Sequence, residues 1–527
     1  MSMPAWQKIL TVLSLAGFVI VAAALPFSNW LMSFGCFWLA GACALQWTTD
    51  VIEKKSLSPR IRQFTQSTAA WLITSVFLLA LVGMLWTDDS AFGLKDVRMK
   101  LPMLVLPVSI FTMRPLNARH YRIVLGTFLL SVVFAAIVCL LIYWRFFNRV
   151  WTDVRDISVF ISHIRFSLLI AVALIIAFCY TWPRGAIGKA FCVLYALPLL
   201  YLLYALESIT GFAVLLVVLA FLLYKLLRKS ESRIKKVSIS VLLIVIPCLS
   251  VAWLAHRACT YFDVSPVSIY PKETALGGPY EHNLQYPLIE HGHYVMTHIA
   301  WSELYDAWQQ RSIVHPDSMD ARGNVLKGTL IRYAAARNLH KDHVGIMQLT
   351  NEDVRNIEAG FTSPDEMQTN AIARRIDRIL FEYANFKAGG DANGHSVFQR
   401  LEFWRASWRI ITKNIWTGVG TGDTKQAFAK EYELMQSTLT MENRLRGHNQ
   451  YLTHWLTYGI VGVLLLLAVL IWPLLRSKNT LLSAFIIIAA LSFLTEDTLE
   501  TQAGVMFFSF FYCLLHINEI EENLPPS

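Results

Sequence analysis

The sequence predicts an all-α polytopic membrane protein, with about twelve transmembrane helices and one large, mainly helical loop on the outer side. Three observations lead there. First, the 527 residues are 55% hydrophobic and 16% charged, against roughly 45–50% and about 25% in soluble domains, and the mean hydropathy is +0.45. Second, the apolar residues come in blocks long enough to cross a bilayer. Third, basic residues gather between alternate blocks. This composition excludes a disordered chain, a nucleic-acid-binding domain and an ordinary cytosolic enzyme. Membrane lipids are the expected surroundings, and nucleic acid is not an expected partner. The net charge of 46 − 37 = +9 therefore reads as an orientation code. Seven of the eight cysteines lie in apolar runs, Cys259 alone lies outside one, and no CxxC pair exists. Neither a disulfide framework nor a zinc site is expected.

A hydrocarbon core about 30 Å thick takes roughly 17–25 apolar residues per helix. Candidate spans run at about 9–27, 30–47, 69–86, 100–113, 121–144, 160–181, 188–204, 211–227, 237–256, 452–476, 480–496 and 502–518. The first is followed at once by the second and lacks a small-residue cleavage site, so it is expected to remain as an anchor. The fourth, Lys100 to Met113, is short. The organisation expected is an N-terminal bundle of about nine spans (1–256), a polar loop domain (257–451), and a C-terminal part of about three spans with a short tail (452–527).

Loop charge gives the orientation. Lys54, Lys55, Arg60 and Arg62 lie between spans two and three, and Arg114 and Arg119 between four and five. Arg184 and Lys189 follow span six. Lys225, Arg228, Lys229, Arg233, Lys235 and Lys236 lie between eight and nine, and Arg476 and Lys478 between ten and eleven. With twelve spans all fall on one side, which should be cytoplasmic together with both termini. Arg145, Arg149 and Arg155 break the pattern, an exception that a basic external site would explain. Residues 257–451 then lie outside.

That loop is irregular from Pro266 to Pro287. Helices are predicted at Val295 to Gln310, Thr329 to Asn338, Asn351 to Ala359 and Glu366 to Phe386, with Gly360, Pro364, Gly389, Gly390 and Gly394 as breakers. Residues 396–414 are amphipathic. Arg400, Trp404 and Trp408 share one i, i+4 stripe, and Arg405 and Arg409 the next. The pattern suits a helix lying in the interface, with Arg400 either an anchor or a ligand for a phosphate head group. Gly418-Val419-Gly420-Thr421-Gly422-Asp423 has no preceding strand and reads as a tight turn, not a nucleotide loop.

Arg444-Leu445-Arg446-Gly447-His448-Asn449-Gln450-Tyr451-Leu452 leads directly into span ten and puts an imidazole at the outer boundary. His163 and Arg165 stand near the start of span six, Glu207 in the turn between seven and eight, and Glu496, Asp497 and Glu500 between eleven and twelve. Ionisable groups at the bilayer edge are costly unless paired or functional. His163, Arg165, Glu207, Arg400, His448 and Glu496 all fall at one level on one side. They are either separate interfacial charges or the walls of one outward-facing pocket.

At these residues the sequence resembles the bacterial O-antigen ligase and O-antigen polymerase superfamily. The likeness is strongest from Gly394 to Phe511. It runs through Ser396-Val397-Phe398-Gln399-Arg400 with Trp404, Gly418-Val419-Gly420, His448-Asn449-Gln450-Tyr451-Leu452, and Tyr458-Gly459-Ile460-Val461-Gly462. It continues to Thr495-Glu496-Asp497 and Gln502-Ala503-Gly504-Val505. Thr329-Leu330-Ile331-Arg332-Tyr333 and Lys341-Asp342 are more weakly similar to the long external loop of one branch. The resemblance implies a GT-C-type glycan transferase of the bacterial inner membrane, with its active site facing the periplasm. It implies an undecaprenyl-diphosphate-linked glycan as donor, a lipid A core or glycan acceptor, and no cofactor. The family often carries arginine in the turn near Thr210-Gly211, where this chain has Glu207-Ser208-Ile209. Donor binding must then fall on other arginines, namely Arg165, Arg332 and Arg400.

The chemistry fits those residue types. Arginine pairs bidentately with phosphate and stays charged, so it neutralises a departing diphosphate. Histidine, with an ordinary pKa near about 6.5, suits deprotonation of an acceptor hydroxyl, worth roughly 10²–10⁴-fold. His448 is the expected base or acceptor-orienting residue. Glu496, His163, Asn449 and Glu207 are expected in supporting or acceptor roles. Nothing compels a metal, and metal-independent, inverting transfer is expected. Ligase, polymerase and protein-glycosylating transferase share these motifs. A transporter or flippase of lipid-linked sugars is the alternative of another class, though no repeated halves are evident. A non-catalytic assembly scaffold is a third option.

Overall fold

Polar caps decide where the apolar runs become helices. Ser28, Ser67, Asn117, Ser208, Asn449 and Asn479 each accept hydrogen bonds from N–H groups in the turn that follows. The structure is a computed structural model describing residues 5–147, 151, 153–181, 185–264 and 270–522. Arg149, Arg184 and Pro266, named above, lie outside these residues. The N-terminal helices are α1 (Ala5–Ala24), α2 (Asn29–Ile52), α3 (Ser58–Thr65), α4 (Thr68–Val82), α5 (Ser90–Lys100), α6 (Pro102–Thr112), α7 (Ala118–Tyr143), α8 (His163–Thr181), α9 (Gly185–Ala205), α10 (Ile209–Lys229) and α11 (Arg233–Phe262).

The polar domain follows. It holds a two-residue hairpin, β1 (Ile289–Glu290) with β2 (His293–Tyr294), then α12 (Trp301–Gln309), α13 (Leu326–Ala336), α14 (His343–Met347), α15 (Asn351–Glu358), α16 (Ala371–Lys387), α17 (Ser396–Lys413) and α18 (Thr424–Leu434). The chain ends in α19 (Gln450–Arg476), α20 (Thr480–Thr495) and α21 (Gln502–Glu522).

Among the described residues, nine helices are long and apolar enough to cross a membrane. They are α1, α2, α4 extended to Trp86, α7 to α11, and α19; α20 and the first part of α21 are shorter apolar helices. The chain is an all-α, multi-pass membrane protein. The expected fourth span, Lys100 to Met113, is the 11-residue helix α6, and α5, also of 11 residues, meets it at Leu101. Pro102 opens α6, where its missing N–H costs nothing.

In the polar domain the first helix starts at Trp301, not Val295. Tyr294 and His293 pair in the hairpin, and Ile299 bridges to Glu281 and Lys341. Helix α18 was not expected. Its buried apolar stripe is only Phe428 and Tyr432, too little to read as a helix face.

Three apolar clusters hold the fold. The largest is the bundle core, with Phe128, Phe485, Phe508 and Phe511. A second fills the polar domain around Trp308, Leu330, Tyr333 and Ile346. A third, with Phe398, Phe403, Ile410, Phe428, Tyr432 and Leu456, joins α17 and α18 to α19. At one end of the bundle Asp50 takes Arg60 at 2.5 Å and Arg114 at 3.1 Å. Elsewhere, Glu207 in the α9–α10 turn takes Arg374 at 3.3 Å and Arg378 at 3.6 Å, both from α16. Arg257 of α11 pairs with Asp377 of α16 through Nε and Nη2, at 2.7 and 2.5 Å. These contacts dock α16 on the bundle.

Candidate active site

The segment before α19 is shaped by Asp497. His448 has φ +44°, a region that side chains other than glycine rarely adopt. Asp497 accepts from the His448 N–H at 2.9 Å, the Asn449 N–H at 3.1 Å and the Thr453 hydroxyl at 2.6 Å. Burial pushes the Asp497 carboxyl up in pKa, while Thr453, Arg446 and His448 work against it. Asn449 is occupied as the α19 cap, accepting from the Tyr451 and Leu452 N–H groups and donating to the Leu494 carbonyl at 3.2 Å.

Held in this way, the His448 ring leans on Phe403 of α17, ring centres 5.6 Å apart, and its Nδ1 stands 3.8 Å from Glu496 Oε2. That separation is too long for a hydrogen bond and becomes an ion pair only when the imidazole carries a proton on both nitrogens. The other Glu496 oxygen accepts from Arg400 Nη2 at 3.1 Å. Glu496 therefore bridges the arginine of α17 and the histidine before α19. Burial works against its charge, but His448, Arg400 and Arg165 hold its carboxyl below the usual carboxylate range. Arg400 Nε and His448 Nδ1 are buried atoms without a hydrogen-bond partner, an arrangement that suits a polar ligand.

Arg165, one turn into α8, lines a narrow apolar cleft with Leu25, Leu168, Leu169 and Phe507. Its charge acts on Glu496. His163, at the start of α8, has Arg155, Asp153, Glu496 and Arg375 as electrostatic neighbours. The structure thus brings His448, Arg400, Glu496, Arg165 and His163 to one place. Two other named residues stand apart. Glu207 is engaged with Arg374 and Arg378. Arg332 is clamped to Glu290 through two bonds of 2.7 Å, its guanidinium 3.7 Å over the Phe381 ring, inside the polar domain.

A second layer supports this place. Glu500 accepts from Lys100 at 2.8 Å and from Gln450 at 3.2 Å, and lies 3.5 Å from Arg446. Lys100 also donates to Asp96 at 2.5 Å, and its side chain is fully buried. Composition could not have marked this triad. The signal present was Asp96 and Lys100 at i, i+4 just before Pro102, a buried pair at a helix break.

The glycine run earns its place against α19. Gly459 interrupts that helix with φ +68°, ψ −162°. Loop N–H groups satisfy the carbonyls the break leaves free, Val419 to Leu456 at 2.8 Å and Gly420 to Thr457 at 3.0 Å, while Ile460 donates to Ile415 at 2.9 Å. A Cβ at Gly459 would lie 2.0 Å from the Trp416 oxygen, and one at Gly418 would lie 2.3 Å from the Thr457 carbonyl carbon. Thr421 then donates to the Ala80 carbonyl at 2.8 Å, and Asp423 accepts from the Asp88 and Asp89 N–H groups. The turn locks α17, α19 and the α4–α5 connection together.

Among the described residues no group of three or more His, Cys, Asp or Glu side chains is arranged to hold a metal ion. Residues 366–467 match the family model described as O-antigen ligase. The match covers α16, α17, the glycine turn and the first part of α19, and so includes Arg400 and His448. That segment of the chain is similar to the O-antigen ligase family. No curated protein matches the chain.

Proposed function

We propose that this protein transfers a glycan from an undecaprenyl-diphosphate carrier to an acceptor hydroxyl at the periplasmic face of the bacterial inner membrane. The observation that carries the reading is the bridge Arg400–Glu496–His448 beside the apolar cleft that contains Arg165. An imidazole, an ionised carboxylate and two arginines meet beside an apolar cleft.

In the proposed step Nδ1 of His448 faces Glu496, leaving Nε2 for the acceptor. The acceptor hydroxyl gives its proton to His448, and its oxygen attacks the anomeric carbon. The bond from that carbon to the diphosphate oxygen breaks with inversion, and undecaprenyl diphosphate leaves with the electron pair. Glu496 stabilises the imidazolium, while Arg400, Arg165 and Arg446 take up charge on the diphosphate. No residue in this scheme requires a metal. Arg332 and Glu207 are assigned to the fold, because their partners already occupy them.

Transport of the donor is the weaker reading. Broken helices mark transporter sites, and the described residues include two such breaks, at Gly459 and at Leu101. Here the α19 break is filled by the 415–421 backbone and the α5–α6 break by the Lys100 triad.

The test compares His448→Ala and Arg400→Ala in cells, following surface glycan by gel and checking the membrane level of each variant. Both are expected to lose the glycan; normal glycan in a stable His448→Ala variant would defeat the catalytic assignment. Accumulated lipid-linked polymer would identify a ligase to lipid A core, accumulated single repeats a polymerase, and donor trapped on the cytoplasmic side a transporter.

A further inference from the structure

Arg375 of α16 has an environment that the proposed transfer step does not use. Its side chain is 11% exposed. A guanidinium carries five N–H donors, and here Nη2 donates to Ser396 Oγ at 3.1 Å. The nearest carboxylate, Glu382, is 3.8 Å from Nη1, and its other oxygen already accepts from the Val397 N–H that opens α17. The charges close by are Arg155 and Arg378. Arg378 shares Glu207 with Arg374, and Arg155 is 3.9 Å from Asp153. Burial, with Arg155 and Arg378 alongside, pulls the Arg375 pKa down to about 10. Three cations thus gather where the carboxylates are shared or distant.

Aromatic rings border the Glu207 side of this cluster, where Tyr143 has Tyr201, Tyr204, Arg374 and Glu207 as electrostatic neighbours. The Tyr204 hydroxyl accepts from the Ala371 N–H at the start of α16, at 3.4 Å. Tyr201 lies 6.5 Å from Tyr204 and 6.4 Å from Tyr143, between ring centres. The Tyr204 contact puts that ring at the seam with α16, where a belt residue would face lipid alone. A forked cation beside flat rings matches a sugar bearing an acid. The fork takes the oxyanion, and the ring takes the apolar C–H face of the pyranose.

We propose that Arg375, flanked by Arg155 and Arg378, forms an oxyanion subsite for an acidic sugar, separate from the diphosphate position at Arg400 and Arg165. Ser396, the anchor of Arg375, is one helical turn before Arg400 on α17. The acid therefore belongs to a sugar close to the linkage being made or broken. This role in transfer rests on the proposed reaction, but binding at the subsite does not.

The test uses the full-length protein in nanodiscs, titrated by saturation-transfer NMR with glucuronate, glucose 6-phosphate, neutral glucose and inorganic pyrophosphate. Both acidic sugars are expected to bind more tightly than glucose. Arg375→Gln should weaken both by about tenfold or more, with Arg375→Lys intermediate because it keeps charge without the fork. Pyrophosphate binding should respond to Arg400→Gln and not to Arg375→Gln. Unchanged acidic-sugar binding in Arg375→Gln, or wild-type binding no tighter than glucose, overturns the subsite. So does an Arg375→Gln effect confined to pyrophosphate. Size-exclusion profiles exclude misfolded variants. His448→Ala should bind the acidic sugars like wild type, so a failed transfer assay would count against the reaction and not against this subsite. With the reaction in hand, the substrate whose KM rises in Arg375→Gln is the one that carries the acid.

Discussion

At the scale of the residue, the site depends on two neighbouring carboxylates with opposite tasks. Asp497 holds a backbone, and Glu496 holds charges. A left-handed φ at a non-glycine residue costs on the order of 1–3 kcal/mol, and the hydrogen bonds from Asp497 offset it at His448. Asp497→Ala should therefore abolish transfer while costing about 1–3 kcal/mol of stability, read by surface glycan and by thermal unfolding in detergent. Glu496 gives a prediction in pH. Its folded-state pKa lies below the ordinary value, so its pairing is fully present above the unfolded pKa and lost only as pH falls through the lower folded one. The stability gap between wild type and Glu496→Gln should stay level from about pH 8 to pH 5 and close below about pH 4. A gap that closes near neutrality would mean that the carboxylate is not held in this way.

At the scale of the element, two helix breaks carry the architecture, and each fails differently. Gly459→Ala would place a methyl 2.0 Å from a backbone oxygen at a φ of +68°. Neither atom belongs to a flexible side chain, so a loss of about 3 kcal/mol or more is expected, seen as a lowered unfolding temperature and poor membrane accumulation. The α5–α6 break depends on charge. Lys100→Met would leave Asp96 and Glu500 buried without their cation, costing about 3–5 kcal/mol. Replacing all three, as Asp96→Leu, Lys100→Met and Glu500→Leu, should recover most of that stability. It should not recover transfer, because Arg446 loses Glu500. Recovery of both would show that the triad serves the fold alone.

For the whole molecule, the decisive feature is that α17, from the polar domain, meets helices of the bundle at the candidate site, with α16 docked on the bundle. Glu207 fastens α16 to the bundle at a turn well separated in sequence from it. Glu207→Gln should loosen that seam, raising hydrogen exchange across 371–387, with transfer reduced up to about tenfold. The core of the bundle should not change, since its apolar cluster does not include this contact.

Composition and block length alone determined that the chain is an all-α, multi-pass membrane protein, because apolar surface of that extent has no other place to go. The motifs around Arg400 and His448 were legible for a related reason. They are local, with an amphipathic turn and a cap set directly before a span. Pairing was not legible. Nothing in the order of residues showed that Asp497 would clamp His448, that Lys100 would reach Glu500 four hundred residues away, or that Arg332 would be used up by Glu290. The glycine turn read correctly as a turn, but its purpose, filling the break at Gly459, needed both segments in view. Burial is decided locally by hydropathy, whereas the partner of a buried charge is decided by which helices pack together. That choice belongs to the tertiary structure.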